Sequence, residues 1–395
     1  MSGEGTAVNG IHCKVPEIEP TSMKILKMKR TKLKPCNTLG FLTSIVSTIH
    51  HKDPLFLKIH KEYFADYNVE SVSCCYRIVT RVEGDDSKVL ISSECVKFES
   101  EDKLSKEIQN IFVECSSEGK IVYTNAHAVI SKTEKLIKRF KKLKNQNRKY
   151  YKVMMLGLNS MSHTNLKRGM SKSFKFLEGR EEWIEMKGYT RVSFKKLKWR
   201  YEFLKFHLQL SNESFPNLFT ILTGQNPDES HNNCDPRSND FLDGCNFIWK
   251  EFQNAGYVTT YAEDQLNLTS FNARHKGFKQ QPTDHYFRPF VVAAEHGLEV
   301  RKKDNLAFCL GSSLYIDHIF VYALKLVSIH EADPYFGFFY INSLSDKQLI
   351  ASPIMDTRIS ESFLEPMELL ESNDTIMIYF GNSGTRFEED LVSED

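Results

Sequence analysis

The chain has 395 residues, a net charge of +1, 41% apolar side chains and 26% charged ones. That length holds one large α/β domain and a smaller one, at about 100 to 200 residues per domain. The near-zero charge excludes a global field that would draw nucleic acid or a membrane surface, and no run approaches the ~18 uninterrupted apolar residues of a membrane helix.

The opening MSGEGTAVNGIHC lacks the apolar core of a signal peptide, so as written the chain reads as soluble. Six of the nine cysteines (Cys13, Cys36, Cys74, Cys75, Cys95, Cys115) fall in the first 115 residues, where cross-links stabilise a loop-rich region most. Buried free thiols are the alternative, and without C-x-x-C spacing a structural zinc site is weakly supported. Sequons begin at Asn212, Asn267 and Asn373, close to the number expected by chance. Short strand-like runs (CCYRIVTRV, KVLISSECVKF, KIVYTNAHAVI) alternate with polar connections, which predicts a cysteine-bearing β-rich module over 1–131. KTEKLIKRFKKLKNQNRKYYK, residues 132–152, carries ten Lys or Arg in 21 residues and predicts a basic linker or solvated helix over 132–151.

An α/β domain is expected over 152–395. KVMMLGL is a continuous apolar run, LKRGMSKSFKFL has helical spacing, and FPNLFTILTG starts a helix at Pro216 and stops at Gly224. CNFIWKEFQNAG precedes the strand YVTTYAED, LYIDHIFVYALKLVSI precedes FGFFYINSLSD, and DTRISESFLEPMELLES precedes TIMIYFGNSG. Strands alternating with helices imply a mostly parallel sheet covered on both faces, with the carboxyl ends of its strands on one edge. Polar residues collect at those ends: NSMS (159–162), AED (262–264), NSLSD (342–346) and GNSG (381–384), with the helix start ESFPN between the first two. Such an edge suits an anion, with or without metals.

CNFIWKEFQNAGYVTTYAED, GFKQQPTDHYFRPF, KVMMLGLNSMSHTNLKRGMSKSFKFL, FPNLFTILTG, HCKVPEIEP and YFGFFYINSLSDKQL occur in one order and span nearly the whole chain. In these motifs the sequence strongly resembles the animal ectodomain family of alkaline-phosphatase-like proteins catalogued as domain of unknown function 229. The resemblance implies a three-layer α/β/α sheet, an extracellular or membrane-anchored setting, and a site for two zinc-type divalent metals and a hydroxyl nucleophile acting on a small phosphate or sulfate ester. Paired metals about 4 Å apart clamp the attacking and leaving oxygens of such a group.

The resemblance also places the site residues. The nucleophile position holds Ser214, ahead of Phe215, Pro216 and Asn217, where the family has threonine; a bland alternative has Ser214 capping the helix. At the metal positions the family's Asp-Ser is Asn159 and Ser160, its His and Asp become Asp346 and Lys347, and its Asp-His becomes Asn382 and Ser383. Neutral amides and hydroxyls do not offset two dications, so the expected metal site is absent or crippled and no cofactor is expected. Glu263 and Asp264 match an acidic pair of the family, with a surface or helix-capping role as the alternative. Asp356 matches a position whose charge suits a helix N-terminus. His275, His285 and His318 have no ligand spacing, and neither a Gly-rich phosphate loop nor an ordered Ser-His-Asp set is legible.

Two features depart from the family. SFKKLKWRYEFLKFHLQLS is an insertion whose Phe194, Leu197, Tyr201, Leu204 and Leu208 recur at heptad spacing among cations. With 132–152, the basic segment 193–209 would meet an anionic surface; a gene-prediction artefact is the other reading. Pro366 falls inside a helical run, where it would cost ~3 kcal/mol unless a turn lies there. The end at Asp395 reads as a C-terminal truncation of the fold. Three functions follow: a degenerate member retaining the sheet as a binding module, a metal-dependent hydrolase using Ser214 with a shell rebuilt from Asp346, Asp264 or Glu263, and a truncated or mispredicted piece of an active ectodomain enzyme. The residues lean against catalysis, and they name neither substrate nor partner.

Overall fold

The computed structural model describes residues 6–9, 14–16, 35–47, 54–144, 149–186, 190–191, 208–209, 214–267, 269–303, 306–343, 352–370 and 374–382. Segment 193–207, Asp346, Lys347 and Ser383 lie outside them.

The N-terminal region is β-rich. Strands Asn110–Ser117 and Lys120–Ala128 pair antiparallel across a two-residue turn, Glu118 and Gly119. Both turn residues are left-handed (φ 50° and 76°), the conformation that matches the twist of a tight hairpin. Strand Ser73–Val82 adds beside Asn110–Ser117, and its adjacent cysteines point to opposite faces because the side-chain period is two. They therefore take different partners: Cys74 bonds Cys115 directly across the ladder, and Cys75 bonds Cys95. Two further bridges, Cys36–Cys309 and Cys234–Cys245, complete four disulfides and remove the free-thiol alternative for these eight residues. Cys13 lies outside the described residues.

The basic stretch after this region contains a helix, Glu134–Lys144, that is not solvated all round. Leu136, Phe140 and Leu143 bury one face, and the Arg139 guanidinium grips Asp284 with two hydrogen bonds of 2.7 and 2.9 Å.

The strands of the parallel sheet are β1 (Lys152–Leu158), β2 (Val258–Glu263), β3 (His285–Tyr286), β4 (Tyr335–Ile341) and β5 (Thr375–Gly381). Their order is β3-β2-β4-β1-β5, every pair parallel. All of β2 and β4 is buried; β4, YFGFFYI, accordingly reads as a continuous apolar run, whereas β2, VTTYAE, buries two threonines and a glutamate as well. On one face Met154, Leu156, Leu158, Phe339 and Ile341 pack with helices His163–Gly169, Ser171–Glu178, Arg288–Gly297 and Tyr315–Ile329. On the other, Met155, Tyr261, Phe336, Phe338 and Tyr340 meet Leu218 and Phe219 of helix Ser214–Thr223 and Trp249 of helix Ile248–Asn254. This second face is almost wholly aromatic, with Trp249 stacked between Phe247 and Tyr261 at 4.4 and 5.3 Å. The chain is thus a mixed α/β protein with a β-rich N-terminal region.

Pro366 does not break its helix. The turn before it, Ser360–Leu364, is π-helical, and Glu365 donates its N–H to Ser360 O, five residues back. A widened turn of this kind is one of the identifiable ways a helix absorbs a local insult to its hydrogen-bond ladder.

Candidate functional site

The carboxyl ends of β1, β2, β4 and β5 converge, as the alternation of strands and helices predicts. Asn159 follows β1 and donates its backbone N–H to Ile341 O of β4 at 3.0 Å. Ser160 comes next at φ 57°, a left-handed conformation that a non-glycine residue rarely adopts. Its N–H donates to Asn382 Oδ1 at the end of β5 (3.1 Å), joining the two strand ends through a side chain.

Asn159 lies at the middle of a hydrogen-bonded chain. Its Oδ1 accepts from Ser214 Oγ at 3.0 Å and from Ser160 Oγ at 3.3 Å, and its Nδ2 donates to Asn342 Oδ1 at 3.2 Å. Asn342 Nδ2 in turn donates to Glu263 Oε2 at 2.8 Å. Glu263 also accepts from Ser270 N–H at 2.8 Å and from the Tyr261 hydroxyl. Asp264 accepts from the backbone N–H groups of Asn342 (2.7 Å) and Ser343 (3.1 Å). Glu263 and Asp264 are therefore neither surface residues nor helix caps, the alternative that the sequence left open: they are buried and hold the end of β4 to the end of β2.

Burial sets the electrostatics. It raises the Glu263 carboxyl above its ordinary range against the hydrogen bonds from Tyr261, Ser270 and Asn342. It pushes Asp264 up to about 6, opposed by the donors from Ser343 and Asn342. Ser214 opens its helix, half-buried, and Asn217 is buried in the same first turn. The Ser214 hydroxyl donates to an amide oxygen, a group with no basicity at neutral pH, so this bond positions the serine without activating it.

Two dications need anionic or imidazole donors. The described residues at the expected ligand positions, Asn159 and Asn382, offer neutral amides whose oxygens already accept hydrogen bonds. They do not fit a pair of metals. Among the described residues the one cluster with metal-ligand spacing is Cys75, Cys95 and Glu114, whose cysteines are joined to each other and whose glutamate pairs with Arg77.

Other sequence candidates are dispersed. Asp356 is inside helix Ser352–Ile359, and the N-terminus it serves is that of the neighbouring helix: its carboxylate accepts from Lys172 and Ser173 N–H at 2.9 and 2.7 Å. His275 bonds Ser238 O and His318 bonds Leu310 O. His285 is fully buried against His330 at 3.4 Å. Reading the sequence placed Asn342 at a polar strand end without giving it a role, though it links the two halves of the chain of amides. Its signal was present as the first polar residue after seven buried ones in YFGFFYIN.

Comparison with known proteins adds one relationship. A family model described as a protein of unknown function (DUF229) matches residues 29–391. No curated protein and no solved structure matches the chain. With nearly its whole length matched, the chain belongs to the DUF229 family.

Proposed function

We propose that this protein is a non-catalytic member of its family: an alkaline-phosphatase-like three-layer domain in which hydrogen-bonded amides stand where the metals would be held, kept as a binding module outside the cell. The observation that carries this reading is the Asn159 side chain. It donates to Asn342 and accepts from Ser214, so an aspartate there would set two oxygen acceptors against each other unless a cation lay between them. The neutral amide satisfies the same geometry without one. Four disulfides support an oxidising, extracellular setting. Resident metal and cofactor are both absent from this reading. If the site were instead a hydrolase, Ser214 would be its nucleophile, and a phosphate or sulfate ester its substrate.

Elemental analysis of the purified chain for zinc, manganese and calcium tests the proposal, repeated on an Asn159→Asp, Asn382→Asp, Ser383→His variant. The expected result is no stoichiometric metal in the parent and uptake by the variant. Loss of outer ligand support alone weakens metal sites ~10 to 100-fold, and loss of direct ligands weakens them further. Two metals per parent chain would overturn the proposal and make Ser214→Ala the next variant to assay for ester hydrolysis.

A further inference from the structure

After β2 the chain, at residues 264–267 and 269–270, folds back toward Glu263. It is pinned on both sides of one residue. Gln265 Nε2 donates to Ala307 O at 3.3 Å and Leu266 N–H to Glu295 Oε1 at 3.0 Å, while Ser270 N–H donates to Glu263 at 2.8 Å. Gln265, Thr269 and Ser270 are buried, and Asn267 between them is exposed. Asn267 and Thr269 are the first and third residues of a sequon whose middle residue is not proline. Thr269 is 6% exposed, and its hydroxyl has no hydrogen-bond partner among the described residues. A hydroxyl the fold leaves unpaired is a cost to stability with no return there. The sequon gives it a use in the nascent chain, before the loop closes.

We infer that Asn267 is an N-glycosylation site, its glycan standing on the loop that covers the carboxylates at the end of β2. The inference is independent of whether the site binds metal. It depends on passage through an oxidising secretory compartment, to which the four disulfides point. In the transfer, Asn267 Nδ2 bonds to C1 of an oligosaccharide carried on a polyprenyl pyrophosphate. The C1–O bond to the pyrophosphate breaks, the pyrophosphate leaves with the electron pair, and the amide gives up one proton to a base of the transferase. No electrons are exchanged. The product is a bulky, solubilising group on an outward-facing turn.

The test is expression of the full chain behind a secretory leader in eukaryotic cells, then peptide mapping without reduction and after treatment with a glycan amidase in heavy-oxygen water. The expected result is intact disulfides together with conversion of Asn267 to heavy-oxygen aspartate. Asn267→Gln and Thr269→Val abolish that conversion and Thr269→Ser preserves it. Unmodified Asn267 in protein with its four disulfides formed overturns the inference. So does a chain recovered with free thiols, or conversion that persists in Thr269→Val, which would mark spontaneous deamidation.

Discussion

At the scale of single residues, close approach and burial decide more than residue type. Gly381 ends β5, and a Cβ there would lie 1.8 Å from the Met161 carbonyl oxygen, a backbone atom that cannot rotate away. Gly381→Ala is expected to lower stability by about 1–3 kcal/mol or more and to displace Asn382 from Ser160. An unchanged denaturation midpoint would show that the strand end yields without strain. His285 illustrates burial. Packed against His330, with Asp284 next in sequence and Arg139, Asp333 and Lys132 around the pair, it is held down to about 3 from an ordinary 6.5, chiefly by desolvation. Its folded pKa lies below the unfolded one, so its stabilising contribution is complete above about pH 6.5 and is lost as pH falls toward 3. His285→Phe should flatten the dependence of melting temperature on pH in that window. Parallel curves for variant and parent would refute the assignment.

At the scale of elements, local pattern was a good guide to type and a poor one to attachment. The apolar runs of β1 and β4 and the shorter strand β2 stand where the alternation places them, because an apolar strand buried on both faces has a signature within seven residues. The basic stretch does hold a helix, but Leu136, Phe140 and Leu143 recur at helical spacing and bury, and Arg139 turns inward to Asp284 while Lys135, Lys138, Lys141 and Lys142 face solvent. Attachment of the N-terminal region was equally hidden, since Cys36 bonds Cys309, 273 residues away in strand Leu306–Leu310. A Cys36→Ser, Cys309→Ser variant is expected to lose about 2–5 kcal/mol, since so long a loop is costly to close without the bridge. A variant as stable as the parent in urea would show that the non-covalent contacts already hold the region in place.

At the scale of the whole molecule, one buried carboxylate ties the two regions together. Asp86, on strand Asp85–Ile91 of the N-terminal region, accepts from Arg81 Nε (2.9 Å), Asn272 Nδ2 (2.9 Å), Phe278 N–H (3.2 Å) and Tyr286 OH (2.8 Å). Arg288 Nε donates to its backbone oxygen at 2.7 Å. Removing the carboxylate leaves Arg81 Nε, Asn272 Nδ2, Phe278 N–H and Tyr286 OH without this acceptor, so Asp86→Ala should cost about 3–5 kcal/mol while leaving one unfolding transition. Tryptophan fluorescence and far-ultraviolet circular dichroism that part company in the parent would show instead that the regions unfold separately. The sequence by itself determined the class of element along the chain and the polar character of the strand ends, because these are written in local periodicity and residue chemistry. Only the tertiary structure decided the strand order, the disulfide partners, the grip of Asp86 and the chain of amides from Ser214 through Asn159 and Asn342 to Glu263. Those depend on pairs such as Ser160 and Asn382, 222 residues apart, which share no periodicity and meet only when the parallel sheet brings its carboxyl ends to one edge.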